Sequence, residues 1–233
     1  MPKLKILIKG ETINLCLPTL KFAKGDVWYK WLNNKIIIKN LSNQYRKLNN
    51  TKKKQEKFFL ANKNVRVLLV ISTKNHIHKG IVSLSNININ QRTCDIALIS
   101  DPTIEPDLAP FAGLEAIALM TEYAFDKMNM KKINGTGYLA IKRWQQRMEL
   151  FGYQFNFFGK NLDKMKDKNK LPYIVSCSYE DYRHLKKKRG KLWDNLKKMT
   201  SRIEKLPKAS FQDIYMKLIN KKKIDYYKNI YSL

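Results

Sequence analysis

The sequence predicts a mixed α/β fold (α+β in its segregation): an antiparallel meander of strands, then a strand–helix–strand–helix unit, then a basic helical extension. Three observations carry this. Short β-rich runs separated by turns fill residues 65–99, in VRVLLVIS, Gly80–Ile89 and Arg92–Ile99. Next, Leu114–Asn129 repeats apolar residues at helical spacing (Ile117, Met120, Ala124, Met128), with Leu114, Ala118, Thr121 and Phe125 widening the stripe. Finally, Lys132–Leu139 returns as a strand and Ile141–Phe151 as a helix. A crossover helix between two strands favours their parallel pairing.

The earlier elements follow from local signals. Leu4–Lys9 alternates apolar residues with Lys and ends at Gly10, the pattern of an edge strand. Asn14–Leu17 continues as strand until Pro18. Asp26 is expected to cap a short helix, Val27–Leu32, with Trp28 and Trp31 on one face. Ile36–Ile38 is β-branched and reads as a brief strand. Thr51 caps a second helix to about Ala61, with Phe58 and Phe59 on its buried side. The KNHIHKG segment reads as a turn, with His76 and His78 solvated at its tip. Ser100–Gly113 reads as a turn-rich connection. After Phe158 come a charged loop (Gly159–Lys170) and a last strand, Leu171–Ser178.

From Tyr179 onward there are 16 Lys and Arg against 6 Asp and Glu, or +10 over 55 residues. The first 178 residues carry 30 and 13, or +17. Two domains are therefore expected: 1–178, and a basic helical extension at 179–233. The extension holds an amphipathic helix broken near Gly190 and, after Pro207, a second segment Phe211–Ile219. It reads either as helices packed on the domain or on another subunit, or as a nucleic-acid arm.

Composition narrows the function classes. With 233 residues and 44% hydrophobic content, the chain can bury a real core. The formal charge of +27 fits a polyanionic partner, and it equally fits a general enrichment in Lys, Asn and Ile. Cys16, Cys94 and Cys177 lie in no metal-ligand spacing, so no metal site is expected. Their sparse, odd count fits a reducing cytoplasm. No apolar run is long enough to span a membrane.

Several strings, in order, carry a family resemblance: DVWYKWLNN, GIVSLSNININQRTCDIALISDP, LEAIALMTEYAFDKMNMKKI and ELFGYQ. Together they resemble the GCN5-related N-acetyltransferase (GNAT) fold over roughly Leu17–Phe158. Within it they look most like the branch of ribosomal-protein N-terminal and amino-sugar N-acetyltransferases. The resemblance implies a mixed central sheet whose antiparallel meander meets a splayed parallel strand pair. It implies acetyl-CoA as the acyl donor, with its pantetheine along Ile96, Ala97, Leu98, Ile99 and Ser100. Its diphosphate would rest at the start of the next helix, on Phe111, Ala112, Gly113 and Leu114. Lys131, Lys132 and Lys142 read as holding the 3′-phosphate of CoA or the diphosphate of a nucleotide-linked sugar, or else as solvated surface.

The chain departs from the family pattern at named positions. Leu108 and Phe111 stand where the donor turn has a basic or amide residue and a glycine. Met148 stands where the family often has a proton-donating Tyr, and Ile141 where it has an Asn. Acyl transfer to an amine still needs a base and an acid. Asp95, where the family commonly has Glu, reads as a base acting through water, or else as a hairpin cap or partner of a Lys. Tyr138 and Tyr153 read as replacement acids, or else as core aromatics. Glu115 reads as a favourable first-turn charge on the long helix. The acceptor implied is a primary amine on a small molecule or peptide, preferably a nucleotide-linked amino sugar, and a homo-oligomer is compatible.

Overall fold

The computed structural model describes residues 3–35, 37, 50–101, 109–138, 142–158, 172–208 and 223–233. The chain forms two compact units, Met1–Ile133 and Asn134–Leu233.

The first unit is a five-stranded meander: β1 (Ile6–Lys9), β2 (Ile13–Cys16), β3 (Val67–Thr73), β4 (His78–Asn88) and β5 (Thr93–Ser100). Each strand pairs antiparallel with the next; the β1–β2, β3–β4 and β4–β5 connections are short turns, and residues 17–66 separate β2 from β3. Cys16, Val70 and Ile81 face each other across β2, β3 and β4. They share a core with Leu4, Phe22, Trp28, Trp31 and Ile37. Helices α1 (Leu20–Ala23), α2 (Asp26–Asn33) and α3 (Lys52–Asn62) close that face. The long helix α4 (Ala109–Asp126) packs against β2, β3, β4 and β5 and contributes nothing to that cluster. It takes the opposite face, where alternation places Leu15, Leu69 and Ile71.

A sixth strand, β6 (Lys132–Tyr138), runs through the boundary of the two units. At its start, Lys131 N–H donates to Arg92 O just ahead of β5, at 2.6 Å. Strands β5 and β6 thus begin side by side, with α4 as the crossover between them.

The second unit contains α5 (Lys142–Glu149), the antiparallel pair β7 (Gln154–Phe158) and β8 (Pro172–Ser178), α6 (Tyr179–Arg189), α7 (Leu196–Glu204) and α8 (Lys223–Ser232). Ser178 ends β8 and caps α6, its hydroxyl oxygen accepting Asp181 N–H at 3.1 Å. The expected division at residue 178 falls at that joint, inside this unit.

Several local expectations are corrected. Gly25 is the N-cap of α2, and Asp26 is its first helical residue, ion-paired with Lys52. Ile37 is helical and buried, not strand; residues 36 and 38 lie outside the described residues. On α3 Phe58 and Phe59 do pack against the core, half-buried, and Gln55 is buried as well, its amide donating to Ala23 O at 2.5 Å. His78 opens β4 and is buried edge-on against the Phe22 ring, 5.3 Å between centres, so only His76 stays in the turn. The connection after β5 is shorter than expected, because α4 already begins at Ala109. Pro110 fits there because the first helical turn has no use for its missing N–H. The segments Gly159–Lys170 and Phe211–Ile219 lie outside the described residues.

Candidate donor-binding site

β5 is bonded to β4 in register, with Ile96 opposite Leu84, Ala97 opposite Ser83, Leu98 opposite Val82 and Ile99 opposite Ile81. In an antiparallel ladder, alternate residues turn their N–H and C=O groups away from that partner. Along Ile96–Ser100 such groups can bond an amide-bearing ligand only where no neighbouring strand takes them, and they need no particular side chain. The pairing is close at its far end, where a Cβ at Gly80 would overlap Ile99 O, so only glycine fits. Ile96 is buried and Ala97 exposed, while Leu98 and Ile99 are half-buried; Ile99 packs against the Val70 and Ile81 core on the face opposite Ile96, so the strand is held on both faces.

The next polar group is the start of α4. Its first turn carries the N–H groups of Ala109 and Phe111, for which the helix itself supplies no acceptor, Pro110 having none. Phe111 is half-buried and Ala112 buried. Gly113 and Leu114 stand in the second turn, where helical N–H groups bond carbonyls four residues back. Leu114 is fully buried. Leu108 lies outside the described residues. The groups present suit a donor held by backbone amides along β5 and by the dipole at the α4 start.

Glu115 is not a first-turn charge. Its side chain is fully buried and accepts hydrogen bonds from Glu11 N–H, Thr12 N–H and the Thr12 hydroxyl. Burial pushes its carboxyl above the usual range, against the pull of those donors. It ties the β1–β2 turn to α4.

Asp95 is half-buried on β5 and accepts Asn86 Nδ2–H at 2.7 Å across a bulge in the β4–β5 ladder. Asn86 sits at φ 49°, a left-handed conformation that Asn tolerates. Beside it, burial and then the Asp95 charge push the Cys94 thiol up to about 12. Burial also raises Cys16 and Cys177, so none of the three is a ready thiolate nucleophile.

In the second unit, Tyr153 is fully buried. It follows the end of α5, where Gly152 N–H bonds Glu149 O at 3.1 Å and Tyr153 N–H bonds Met148 O at 3.4 Å. With Gly152 at φ 91°, this is a Schellman stop, which explains the Gly-Tyr pair in physical terms. Met148 is buried. The side chains of Tyr138 and Lys142, and all of Ile141, lie outside the described residues.

Sequence reasoning missed the polar cluster around Glu149. This carboxyl is 1% exposed and accepts the Tyr226 hydroxyl at 2.7 Å, with Tyr227 at 3.5 Å. Burial pushes it up to about 8, the tyrosine hydroxyls opposing. Tyr227 also accepts Phe155 N–H at 2.7 Å. Gln145, one turn earlier on α5, is fully buried. The available signal was Gln145 and Glu149 four apart in an otherwise tightly packed helix. Their partners are 77 and 78 residues away from Glu149, beyond the reach of any local pattern.

Among the described residues, no group of three His, Cys, Asp or Glu side chains could hold a metal ion, and no helix is long and apolar enough to cross a membrane.

Neither a protein-family model nor a curated protein matches the sequence. Solved structures do. A spermidine N-acetyltransferase from Vibrio cholerae, in complex with CoA and spermine, superposes with a TM-score of 0.60 at 15% identity, over 74% of this chain and 98% of that one. A GNAT-family acetyltransferase from Bacillus anthracis gives 0.59 at 15%, over 74% and 98%. The microcin C7 self-immunity acetyltransferase MccE, in complex with acetyl-CoA and AMP, gives 0.57 at 19%, over 72% and 93%. At these identities the likeness is one of architecture, and it spans nearly the full length of each neighbour: the chain has the fold of the GCN5-related N-acetyltransferases.

Proposed function

We propose that the protein is a CoA-dependent N-acetyltransferase acting on a primary amine. The observation that carries this reading is β5 followed by α4: a strand with outward backbone amides running to a helix start, on a fold whose solved neighbours hold CoA or acetyl-CoA. In this reading the donor lies along Ile96–Ser100, and its diphosphate meets the α4 start around Phe111 and Ala112. The amine nitrogen attacks the thioester carbon directly. The carbonyl is polarised by backbone N–H groups of β5. Asp95 takes the amine proton through water, and CoA leaves as the thiol. Of the two tyrosines expected as acids, Tyr153 is fully buried, and the side chain of Tyr138 lies outside the described residues. Buried thiols with raised pKa support direct transfer over an acyl-cysteine route.

The preferred acceptor is an amine carried on an anionic molecule, such as a nucleotide-linked amino sugar, ahead of a peptide N-terminus. A net charge of +27 repels polycationic amines such as the spermine of one neighbour's complex, and attracts a diphosphate.

Calorimetric titration with acetyl-CoA and with free CoA tests the first step, and acetyl transfer to amine panels tests the second. Micromolar donor binding followed by turnover with a nucleotide-linked amino sugar is expected. Absence of donor binding at millimolar concentration would sink the enzyme reading and leave a binding protein built on this fold.

A further inference from the structure

Basic residues concentrate in the latter part of α6 and just beyond it, after Glu180 and Asp181 in its first turn. From Arg183 to Lys191 there are six Lys and Arg and no acidic residue. Arg183, His184, Lys187 and Lys188 are all exposed. Arg183 and Lys187 are four apart, so they stand on one face about 6 Å apart along the axis. Tyr179, one turn before Arg183, is 38% exposed and carries the Arg183 guanidinium 5.9 Å from its ring centre. One face thus presents an aromatic ring, a planar cation and an ammonium in sequence.

The helix is held firmly from behind. Tyr182 and Leu185 are buried, Arg189 Nη1 donates to Leu150 O at 2.6 Å, and Lys188 Nζ donates to Tyr231 O at 3.0 Å. Lys186 is folded onto the Tyr182 hydroxyl at 2.8 Å. Arg183 and Lys187 therefore project from a fixed platform. Complementing the helix dipole accounts for cations in the last turn. It does not account for Arg183 stacked on an exposed ring in the middle of the helix.

We propose that this face of α6, Tyr179–Arg183–Lys187, binds the backbone of single-stranded nucleic acid, with Tyr179 stacking on a base. The cation spacing suits successive phosphates, and an aromatic ring beside cations is the usual platform for an unpaired base. An anionic membrane fits less well. Such binding needs several exposed apolar side chains to enter the interface, and α6 offers Tyr179 alone, since Tyr182 and Leu185 are turned inward.

The test is fluorescence anisotropy of the full chain with a single-stranded RNA of about 20 nucleotides, between about 50 and 200 mM salt. The variant Arg183→Glu/Lys187→Glu is compared with Lys53→Glu/Lys57→Glu. The second pair has the same spacing and charge change, on an exposed face of α3. The α6 variant should lose affinity about tenfold or more and flatten the salt slope by about one to two units, with the α3 variant within about twofold of the parent. Tyr179→Ala should weaken binding about fivefold at an unchanged salt slope. Equal losses in the two charge variants would overturn the proposal, since net charge alone would then explain binding. So would no RNA binding at low salt, or capture by phosphatidylserine vesicles without capture of RNA. Unchanged thermal unfolding of each variant confirms that folding is not the cause.

Discussion

Gly10 faces the carboxylate of Glu115, and a Cβ at position 10 would overlap Glu115 Oε1. The glycine leaves room for a buried carboxyl that satisfies Glu11 N–H, Thr12 N–H and the Thr12 hydroxyl at the β1–β2 turn. Glu115→Ala strands these donors and should cost about 2–3 kcal/mol in urea unfolding. Gly10→Ala should cost about 1–3 kcal/mol by overpacking. The double variant should lose less than the sum, because removing the carboxylate removes part of the overlap. Strict additivity would mean that the two residues are not coupled.

Two glycines with positive φ separate backbone strain from packing. Gly152 has φ 91° and an added Cβ would lie 3.0 Å from Cys177 Sγ, whereas Gly190 has φ 79° and open space around it. Gly190→Ala should cost about 1 kcal/mol, the conformational part alone. Gly152→Ala should cost more, about 2–3 kcal/mol, because the packed thiol cannot give way freely. Equal thermal shifts for the two variants would show that Cys177 yields at no cost.

The readable part of the fold was its periodic part. The meander β3–β5 and the amphipathic stripe of α4 are set by alternation and by i, i+4 spacing, which survive without tertiary information. So is the Thr51 cap of α3, whose hydroxyl oxygen accepts Lys54 N–H at 3.2 Å. What was hidden depends on distant partners. Ile37 carries a β-branched preference but is helical, in a core formed by Trp28, Trp31 and Val70. His78 looked like a turn residue until Phe22 covered it. Pro110 signalled a loop, although a first helical turn accepts proline equally well. At the candidate site, β5 was legible as a strand and the body of α4 as a helix, but its start was expected at Leu114 and falls at Ala109. The buried roles of Glu115 and Glu149 were not, because each carboxyl bonds groups on segments far away in sequence.

The Glu149 cluster predicts an unusual pH dependence. The carboxyl is raised from an ordinary 4.5 to about 8 by burial, and the tyrosines facing it, Tyr173 from β8 with Tyr226 and Tyr227 from α8, bring no cation. Between those values the folded chain holds a proton that the unfolded chain releases. This group's contribution to stability is therefore full below about pH 4.5 and is lost as pH rises toward about 8. The slope is about 1.4 kcal/mol per pH unit for one proton. Glu149→Gln, neutral at every pH, should flatten the profile and be more stable than the parent at the alkaline end. Denaturation midpoints across that range decide it; an unchanged profile in Glu149→Gln would assign the proton elsewhere. Tyr226→Phe should cost about 1–2 kcal/mol by removing the closest donor.

Asp95 offers the sharpest test of the proposed chemistry, because its two roles separate by substitution. Asp95→Asn keeps an oxygen to accept Asn86 Nδ2–H, so the bulge latch survives while the base is lost. If Asp95 receives the amine proton, kcat should fall by about 10²-fold or more with acetyl-CoA affinity unchanged. Asn86→Ala does the converse: it removes the latch and leaves the carboxylate. It should change kcat by about threefold or less, and its effect should show in unfolding, at about 1 kcal/mol. A full-rate Asp95→Asn enzyme would make Asp95 a hairpin latch. Equal kcat losses in both variants would mean that the carboxylate works only when Asn86 holds it in place.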